Sequence, residues 1–275
     1  MSISEKIKES VIAKMLLIVI IPWIILAIIF GFTDLAITKA VMNPQSGWGN
    51  FGADYGEIPG YGIIAIGLAI LIGVQVSKKS GDILSQKKAA LVLALLGFVI
   101  MIVGFIIDDD STIHVGGAIG VSISLFSLVT KDKDWNNYKT FAAVVVLLAI
   151  IYPLIMVQIM KTVWGRVRPR DIYALGGNDG AFTPWYIING VTGNKSFPSG
   201  HTAMGWMLLP ILLLVDDKDW KDPVKILTWI GVIFWGLFVG ASRVVVTAHY
   251  ASDVLFSTAI PSIIMILLYK KFYLD

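Results

Sequence analysis

The chain has 275 residues, of which 56% are hydrophobic and 15% are charged. A soluble domain carries about 25% charged residues, so this composition excludes an ordinary soluble globular protein and favours a membrane protein. The formal charge of +3, without a long basic run, gives no indication of a nucleic-acid partner. Cysteine is absent, which excludes disulfides and thiolate metal sites.

The apolar stretches predict an all-α bundle of about eight transmembrane helices, with six to eight compatible with the pattern. A spanning helix needs about 20 mostly apolar residues. The first span follows a charged segment without a small-residue cleavage site, so we expect a retained anchor. The fourth span is short and rich in Gly and Ser, which also suits a re-entrant or packed segment. The predicted spans are Met15–Phe32, Tyr61–Val76, Ala89–Ile107, Val115–Thr130, Phe141–Met160, Thr202–Val215, Ile226–Ala241 and Ser252–Tyr269.

The lysines predict how the helices are oriented. With eight spans, five lysine-containing segments fall on one side, which the positive-inside rule assigns to the cytoplasm together with both termini. These lysines are Lys6, Lys8, Lys14, Lys78, Lys79, Lys87, Lys88, Lys131, Lys133, Lys139, Lys218, Lys221, Lys225, Lys270 and Lys271. Two long segments, 33–60 and 161–201, then lie outside. We expect the first to cap the bundle, with a role in guiding substrate as the alternative.

All four arginines lie near span ends on the predicted outer side: Arg166, Arg168, Arg170 and Arg243. A guanidinium group offers a rigid fork of donors that suits phosphate oxygens. Arginines in such places also anchor helices at lipid headgroups, and the arginines alone do not decide between the two roles.

Two of the three histidines accompany other polar residues of the outer segments. His249 precedes Asp253 by four residues, the spacing at which two side chains share a helix face. A carboxylate can hold one imidazole nitrogen and leave the other free as a nucleophile, although such a pair also serves as a structural hydrogen bond. We interpret His114 as a solvated loop residue.

His201 follows Pro198, Ser199 and Gly200 at the start of the sixth span. A capping Ser and a Gly with an unobstructed N–H are typical of a helix N-terminus that binds anions. His201 could there donate a proton to a leaving oxygen. Taken alone, the segment also fits an ordinary helix cap.

The three segments together form one pattern. It reads Lys161-x6-Arg168-Pro169, then Pro198-Ser199-Gly200-His201, then Ser242-Arg243-x5-His249-x3-Asp253. This resembles the three-part signature of the type 2 phosphatidic acid phosphatase family, which includes vanadium haloperoxidases and glucose-6-phosphatase-like enzymes. Every core position matches, in order and spacing, although the motifs cover only about a third of the chain.

The resemblance implies a role for each matching position. His249 would attack phosphorus and form a phosphohistidine, and Asp253 would orient it. His201 would protonate the leaving oxygen and then activate water. The phosphate-binding residues would be Lys161, Arg168, Ser199, Gly200 and Arg243. Their cations would supply the positive charge that Mg²⁺ supplies elsewhere, so we expect no metal and no cofactor.

Other charged residues near the motifs are expected to have lesser roles. Arg166 and Arg170 flank the first motif, and we interpret them as solvated or bound to headgroups, with a second contact to a diphosphate as the alternative. The run Asp108–Asp110 is interpreted as a solvated loop rather than a metal site.

The sequence therefore predicts a membrane lipid phosphate phosphatase with an extracytoplasmic active site. We expect one domain over 1–275, with spans in 1–140 and the catalytic core in 141–275. Membrane members of the family usually have six spans, so the larger count leaves the substrate open among a polyprenyl diphosphate, slightly favoured, phosphatidylglycerol phosphate and phosphatidic acid. A lipid-linked phosphotransferase is the main alternative, and a non-catalytic lipid binder or transporter is the other. The oligomeric state is open.

Overall fold

Seven helices are long and apolar enough to cross a bilayer in the computed structural model, which describes residues 3–174, 176 and 179–274. This confirms the predicted all-α membrane bundle. The α-helices are α1 Ile3–Val41, α2 Gly47–Tyr55, α3 Ile58–Ser80, α4 Leu84–Ile107, α5 Asp110–Val129, α6 Lys139–Ala149, α7 Val157–Trp164, α8 Pro169–Ala174, α9 Gly200–Gly205, α10 Pro223–Val245 and α11 Ala251–Tyr269. A π-helical segment around Pro153, Ile150–Met156, joins α6 to α7 into one long helix, and another, Lys270–Leu274, continues α11.

The predicted sixth span is a shorter apolar helix, Gly200–Val215. It begins as α9 and continues as a 3₁₀ segment over Trp206–Val215. A 3₁₀ helix rises about 2.0 Å per residue and an α-helix about 1.5 Å. The 16 residues from 200 to 215 therefore extend over roughly 29 Å, close to the ~30 Å of a hydrocarbon core. The tighter winding lets this short segment extend over nearly the length of a spanning helix.

Side-chain contacts define the two ends of the bundle. At one end the α3–α4 and α5–α6 connections meet, where Gln86 donates to Asp134 over 2.9 Å and Lys87 donates to the Thr130 carbonyl over 2.7 Å. The 3₁₀ segment and α11 also end there, joined by the Tyr269 hydroxyl and Asp216 at 2.9 Å. We call this the lysine-rich end. The opposite end of the bundle carries the two long segments, 33–60 and 161–201, which were predicted to lie on the same side of the membrane.

The core lies between α3, α6, the 3₁₀ segment and α11. Ile70, Leu148 and Met207 are fully buried there. In contrast, apolar side chains on α1 and α4 point away from the protein, with Ile18 73% and Ile106 77% exposed. Such surfaces suit a lipid environment, where the exterior of the bundle is solvated by acyl chains.

The Gly-rich sequence of α5 reflects its close contact with α4. A Cβ built on Gly116 would lie 2.3 Å from the Met101 backbone nitrogen, and one built on Gly104 would lie 2.6 Å from that of Ile113. Small residues let membrane helices approach each other this closely. The fourth predicted span is therefore a full helix packed on its neighbour, and the re-entrant alternative is wrong.

This contact predicts a difference between two adjacent glycines. Gly116→Ala should lower stability by about 1–3 kcal/mol because the added methyl overlaps α4 backbone. At Gly117 a Cβ meets only the Met101 sulfur at 3.4 Å, so Gly117→Ala should be neutral or slightly stabilising through helix propensity. Thermal unfolding of both variants in detergent measures this, and equal melting temperatures would contradict the packing.

Candidate active site

His249 and Asp253 are in contact, but not across one helix face. His249 lies in the turn before α11, and Asp253 is in the first turn of that helix. The Asp253 carboxylate accepts the Tyr250 backbone N–H over 3.0 Å, which brings its Oδ2 to 3.4 Å from His249 Nδ1. The turn requires a left-handed backbone conformation at Thr247 (φ 58°). The i,i+4 spacing therefore predicted the right pair of residues, but the two side chains do not share a helix face.

A buried arginine holds the other oxygen of Asp253. Arg166 donates to Asp253 Oδ1 over 2.6 Å and to Asp34 Oδ2 over 2.9 Å, and all three side chains are fully buried. Its Nε donates to the Thr183 carbonyl over 2.8 Å, and its guanidinium lies 4.0 Å from the Tyr250 ring centre. We call Arg166, Asp34 and Asp253 the ion triad.

Hydroxyl groups complete the bonding of both carboxylates. Ser196 donates to Asp253 Oδ2 over 2.6 Å. Ser252 donates to Asp34 through its backbone N–H over 2.8 Å and also through its hydroxyl. Buried charges are tolerated when they are paired and hydrogen-bonded in this way.

The expectation that Arg166 is solvated or bound to headgroups is therefore wrong. It has no exposed surface, and its guanidinium donates to two carboxylates, the Ser252 hydroxyl and the Thr183 carbonyl. Arg170, by contrast, is exposed and lies 3.7 Å from Asp171, as the solvated interpretation expects.

The second motif forms the beginning of α9. Ser199 caps the helix by accepting the Thr202 N–H over 3.3 Å, as predicted. Its own N–H donates to the Asp253 carbonyl over 3.2 Å, which ties the start of α9 to the start of α11. The segments that carry His201 and His249 are thereby held side by side.

Two cations of the predicted phosphate site, Lys161 and Arg243, lie beside these two segments. A Cβ on Gly200 would lie 3.0 Å from Lys161 Nζ, so the ammonium faces the second motif. The Arg243 carbonyl accepts the His249 N–H over 3.1 Å, which keeps His249 beside that arginine. Within the described ranges, Lys161, Arg168 and Arg243 form no ion pair, and the buried Nε atoms of Arg168 and Arg243 have no hydrogen-bond partner. These donors remain available to an anion.

His201 faces the carboxylate of Glu57, a residue that was not predicted to belong to the site. Its Nδ1 lies 3.1 Å from Glu57 Oε1. Both residues line a cavity together with His114, which belongs to α5 and packs against Tyr55 with ring centres 5.0 Å apart. The interpretation of His114 as a loop residue is therefore wrong, because α5 begins five residues before the predicted span.

The run Asp108–Asp110 is built into the start of α5. Asp109 caps that helix, accepting the Thr112 N–H over 2.8 Å, and its hydrogen bonds with Thr112 lower the pKa of its carboxyl. Asp110 is already helical, so the run is a helix start and not the predicted free loop. In the described part of the chain, no three His, Asp or Glu side chains are grouped as a metal site would need.

Segment 33–60 contributes directly to the site, beyond the capping role that was expected. Asp34 lies in the last turns of α1, and Glu57 precedes α3. A signal for Asp34 was present, since a carboxylate inside a long apolar helix is costly unless it is paired. Glu57 is the single glutamate beyond residue 9, but nothing in the sequence connects it to His201.

The surroundings of His249 set its protonation state. Burial lowers the pKa of the His249 imidazole to about 4, and the hydrogen bond and charge of Asp253 act in the opposite direction. The ring is therefore neutral at physiological pH, with Nδ1 directed at Asp253 and Nε2 left for chemistry.

Comparison with known proteins agrees with the motif. Residues 142–274 match the family model of the PAP2 superfamily. A stretch of 101 residues is 36% identical to phosphatidylglycerophosphatase B of Haemophilus influenzae, covering 33% of this chain and 41% of the relative's length. No solved structure matches significantly. All three motif segments, from Lys161 to Asp253, fall within residues 142–274, the part of this chain that matches the PAP2 superfamily.

Proposed function

We propose that the protein is a metal-independent phosphatase that acts on a membrane lipid phosphate through a phosphohistidine at His249. The observation that carries the proposal is the arrangement around that residue. A neutral imidazole, hydrogen-bonded to the Asp253 carboxylate, lies beside cations that form no ion pair within the described residues. A transferring phosphoryl group spreads negative charge over its oxygens, and fixed cations stabilise that charge.

In the first step, His249 Nε2 forms a bond to phosphorus while the bond from phosphorus to the lipid oxygen breaks. His201 gives a proton to that oxygen, so the lipid departs as an alcohol. Lys161, Arg168 and Arg243, with the Gly200 N–H, hold the remaining phosphate oxygens. Asp253 stabilises the positive charge that develops on His249.

In the second step, water attacks phosphorus and the bond to His249 Nε2 breaks. His201, now neutral, takes the proton of that water. Inorganic phosphate leaves, and both histidines return to their starting states. A lipid-linked phosphotransferase would differ only in that an acceptor hydroxyl replaces the water.

Among the candidate substrates we favour phosphatidylglycerol phosphate. The relative in Haemophilus influenzae carries that substrate in its name. Arg166 was an alternative contact for the second phosphate of a diphosphate. It is instead paired with two carboxylates of the protein, Asp34 and Asp253, which weakens the case for a diphosphate substrate. A polyprenyl diphosphate and phosphatidic acid are the comparison substrates in the test.

His249→Ala should reduce phosphate release at least about 10³-fold, because the attacking group is lost. EDTA should leave the wild-type rate unchanged, because protein cations carry the phosphate charge. Both are measured as phosphate release by purified protein from the three candidate lipids.

Asp132→Asn, at the lysine-rich end, serves as the matched control for purification and folding. A His249→Ala variant that turns over at near wild-type rate would refute the phosphohistidine route. Inhibition by EDTA that Mg²⁺ reverses would refute metal independence. Release only on addition of an acceptor alcohol would favour the phosphotransferase.

The pKa of His249 can be measured directly because the chain has three histidines. Burial disfavours the charged ring, so His249 should stay neutral from pH 8 down to pH ~5 and become protonated near pH 4, against about 6.5 for a free imidazole. Nitrogen chemical shifts of histidine-labelled protein report this titration. The His249 signal is the one that disappears in His249→Gln, and a midpoint near 6.5 would contradict the buried site.

We further propose that the site faces the extracytoplasmic side of the membrane. Support comes from the lysines gathered at the opposite end, under the positive-inside rule. Since the chain has no native cysteine, single cysteines report topology cleanly. In intact cells, Asp110→Cys should react with an impermeant maleimide, whereas Asp132→Cys should react only after permeabilisation. The reverse pattern would invert the orientation.

A further inference from the structure

His201 and Glu57 form a second histidine–carboxylate pair at the site. His201 Nδ1 lies 3.1 Å from Glu57 Oε1. The other carboxylate oxygen, Oε2, accepts the Tyr61 hydroxyl over 3.1 Å. Because Tyr61 occupies one oxygen, the second is directed at the imidazole rather than free to rotate.

The backbone holds this pair in register. Gly60, in the first turn of α3, approaches α9 so closely that a Cβ there would lie 2.4 Å from the Met204 carbonyl oxygen. The first turn of α3, which follows Glu57, and the helix that carries His201 are therefore in direct contact. The pairing rests on helix packing, so it does not depend on a mobile loop.

The pair has a chemical consequence for a proton donor. His201 needs a proton on Nε2 to give to the leaving oxygen, yet its burial and the nearby charges of Arg243, Lys161 and Arg168 oppose added positive charge. A carboxylate at Nδ1 stabilises the imidazolium against that repulsion. It also keeps Nδ1 protonated after the transfer, which leaves Nε2 as the atom that accepts the proton of water.

The cavity beside the pair indicates where the leaving group lies. His201 lines it together with Asp54, Glu57, Tyr61 and His114. An oxygen that receives a proton from His201 must be within hydrogen-bond reach of that ring. The lipid alcohol is therefore expected on the Glu57 side, and the attacking His249 on the other side of the phosphorus.

We propose that Glu57 is a positioning residue that orients and charges His201 for protonation of the leaving oxygen. The proposal rests on the proposed phosphatase function and adds a residue from outside the region that matches the family. In this proposal Glu57 orients His201 in the same way that Asp253 orients His249.

The test uses two esters that differ in how much they need a proton donor. A short-chain alkyl phosphate leaves as a strongly basic alkoxide, whereas 4-nitrophenolate leaves readily without a proton. Glu57→Gln, which keeps the size of the side chain, should lower kcat/KM for the alkyl ester about a hundredfold and for the nitrophenyl ester by less than about threefold. The ratio kcat/KM is compared because it reports the first transfer and not the later attack of water.

Two further variants make the result specific. His201→Asn should show the same selectivity, and adding Glu57→Gln to it should cause no further loss, because both residues act through one proton. Asp54→Asn removes a carboxylate from the same cavity without contact to His201, so any loss should be equal for both esters.

The outcomes separate this inference from the proposed function. Equal losses on both esters, or no loss, in Glu57→Gln would overturn the role of Glu57 while leaving the phosphatase intact. Wild-type protein that releases phosphate from none of the candidate lipids and from neither ester, or an active His249→Ala variant, would overturn the proposed function itself, and the role of Glu57 with it.

Discussion

One buried guanidinium, that of Arg166, connects the parts of this site. It binds Asp34 on α1 and Asp253 on α11 at once, in a region without solvent. Removing one partner of a buried ion pair costs about 3–5 kcal/mol, because it leaves an uncompensated charge. Two carboxylates around one arginine leave a net negative charge, so Asp253 keeps the ability to stabilise a positive His249. The geometry of the nucleophile is thus coupled to the packing of the first helix.

Three of the four arginines fall into two groups with opposite surroundings. Arg166 is fully saturated by the protein, whereas Arg168 and Arg243 have buried donors without partners. The saturated one stabilises the scaffold, and the unsaturated ones are prepared for an anion, since an unpaired buried donor is costly until something binds it. Arg166 and Arg168, one from each group, are only two residues apart in sequence, which is why residue type alone did not distinguish them.

The sequence was sufficient for the features that depend on local order. Apolar runs located the helices, and the motif spacing brought Ser199, His201, His249 and Asp253 together. It was insufficient where a residue gains its role from a distant contact. Asp34 and Glu57 act only through helix packing that no local pattern encodes, and the solvated interpretation of Arg166 failed because it considered the charge without its partners. The structure also places His249 in a turn, where periodicity expected a helix.

The separation of Asp34 and Arg166 by 132 positions bears on how the protein is made. The chain emerges from the ribosome N-terminus first, so α1 enters the membrane with its carboxylate well before the arginine that neutralises it exists. Asp34 lies near the end of α1 rather than at its middle, where it can remain close to the headgroups and water during that interval. The ion triad can form only after the C-terminal half of the chain has been made. The catalytic site therefore assembles at the same stage as Arg166 neutralises the carboxylate on the first helix.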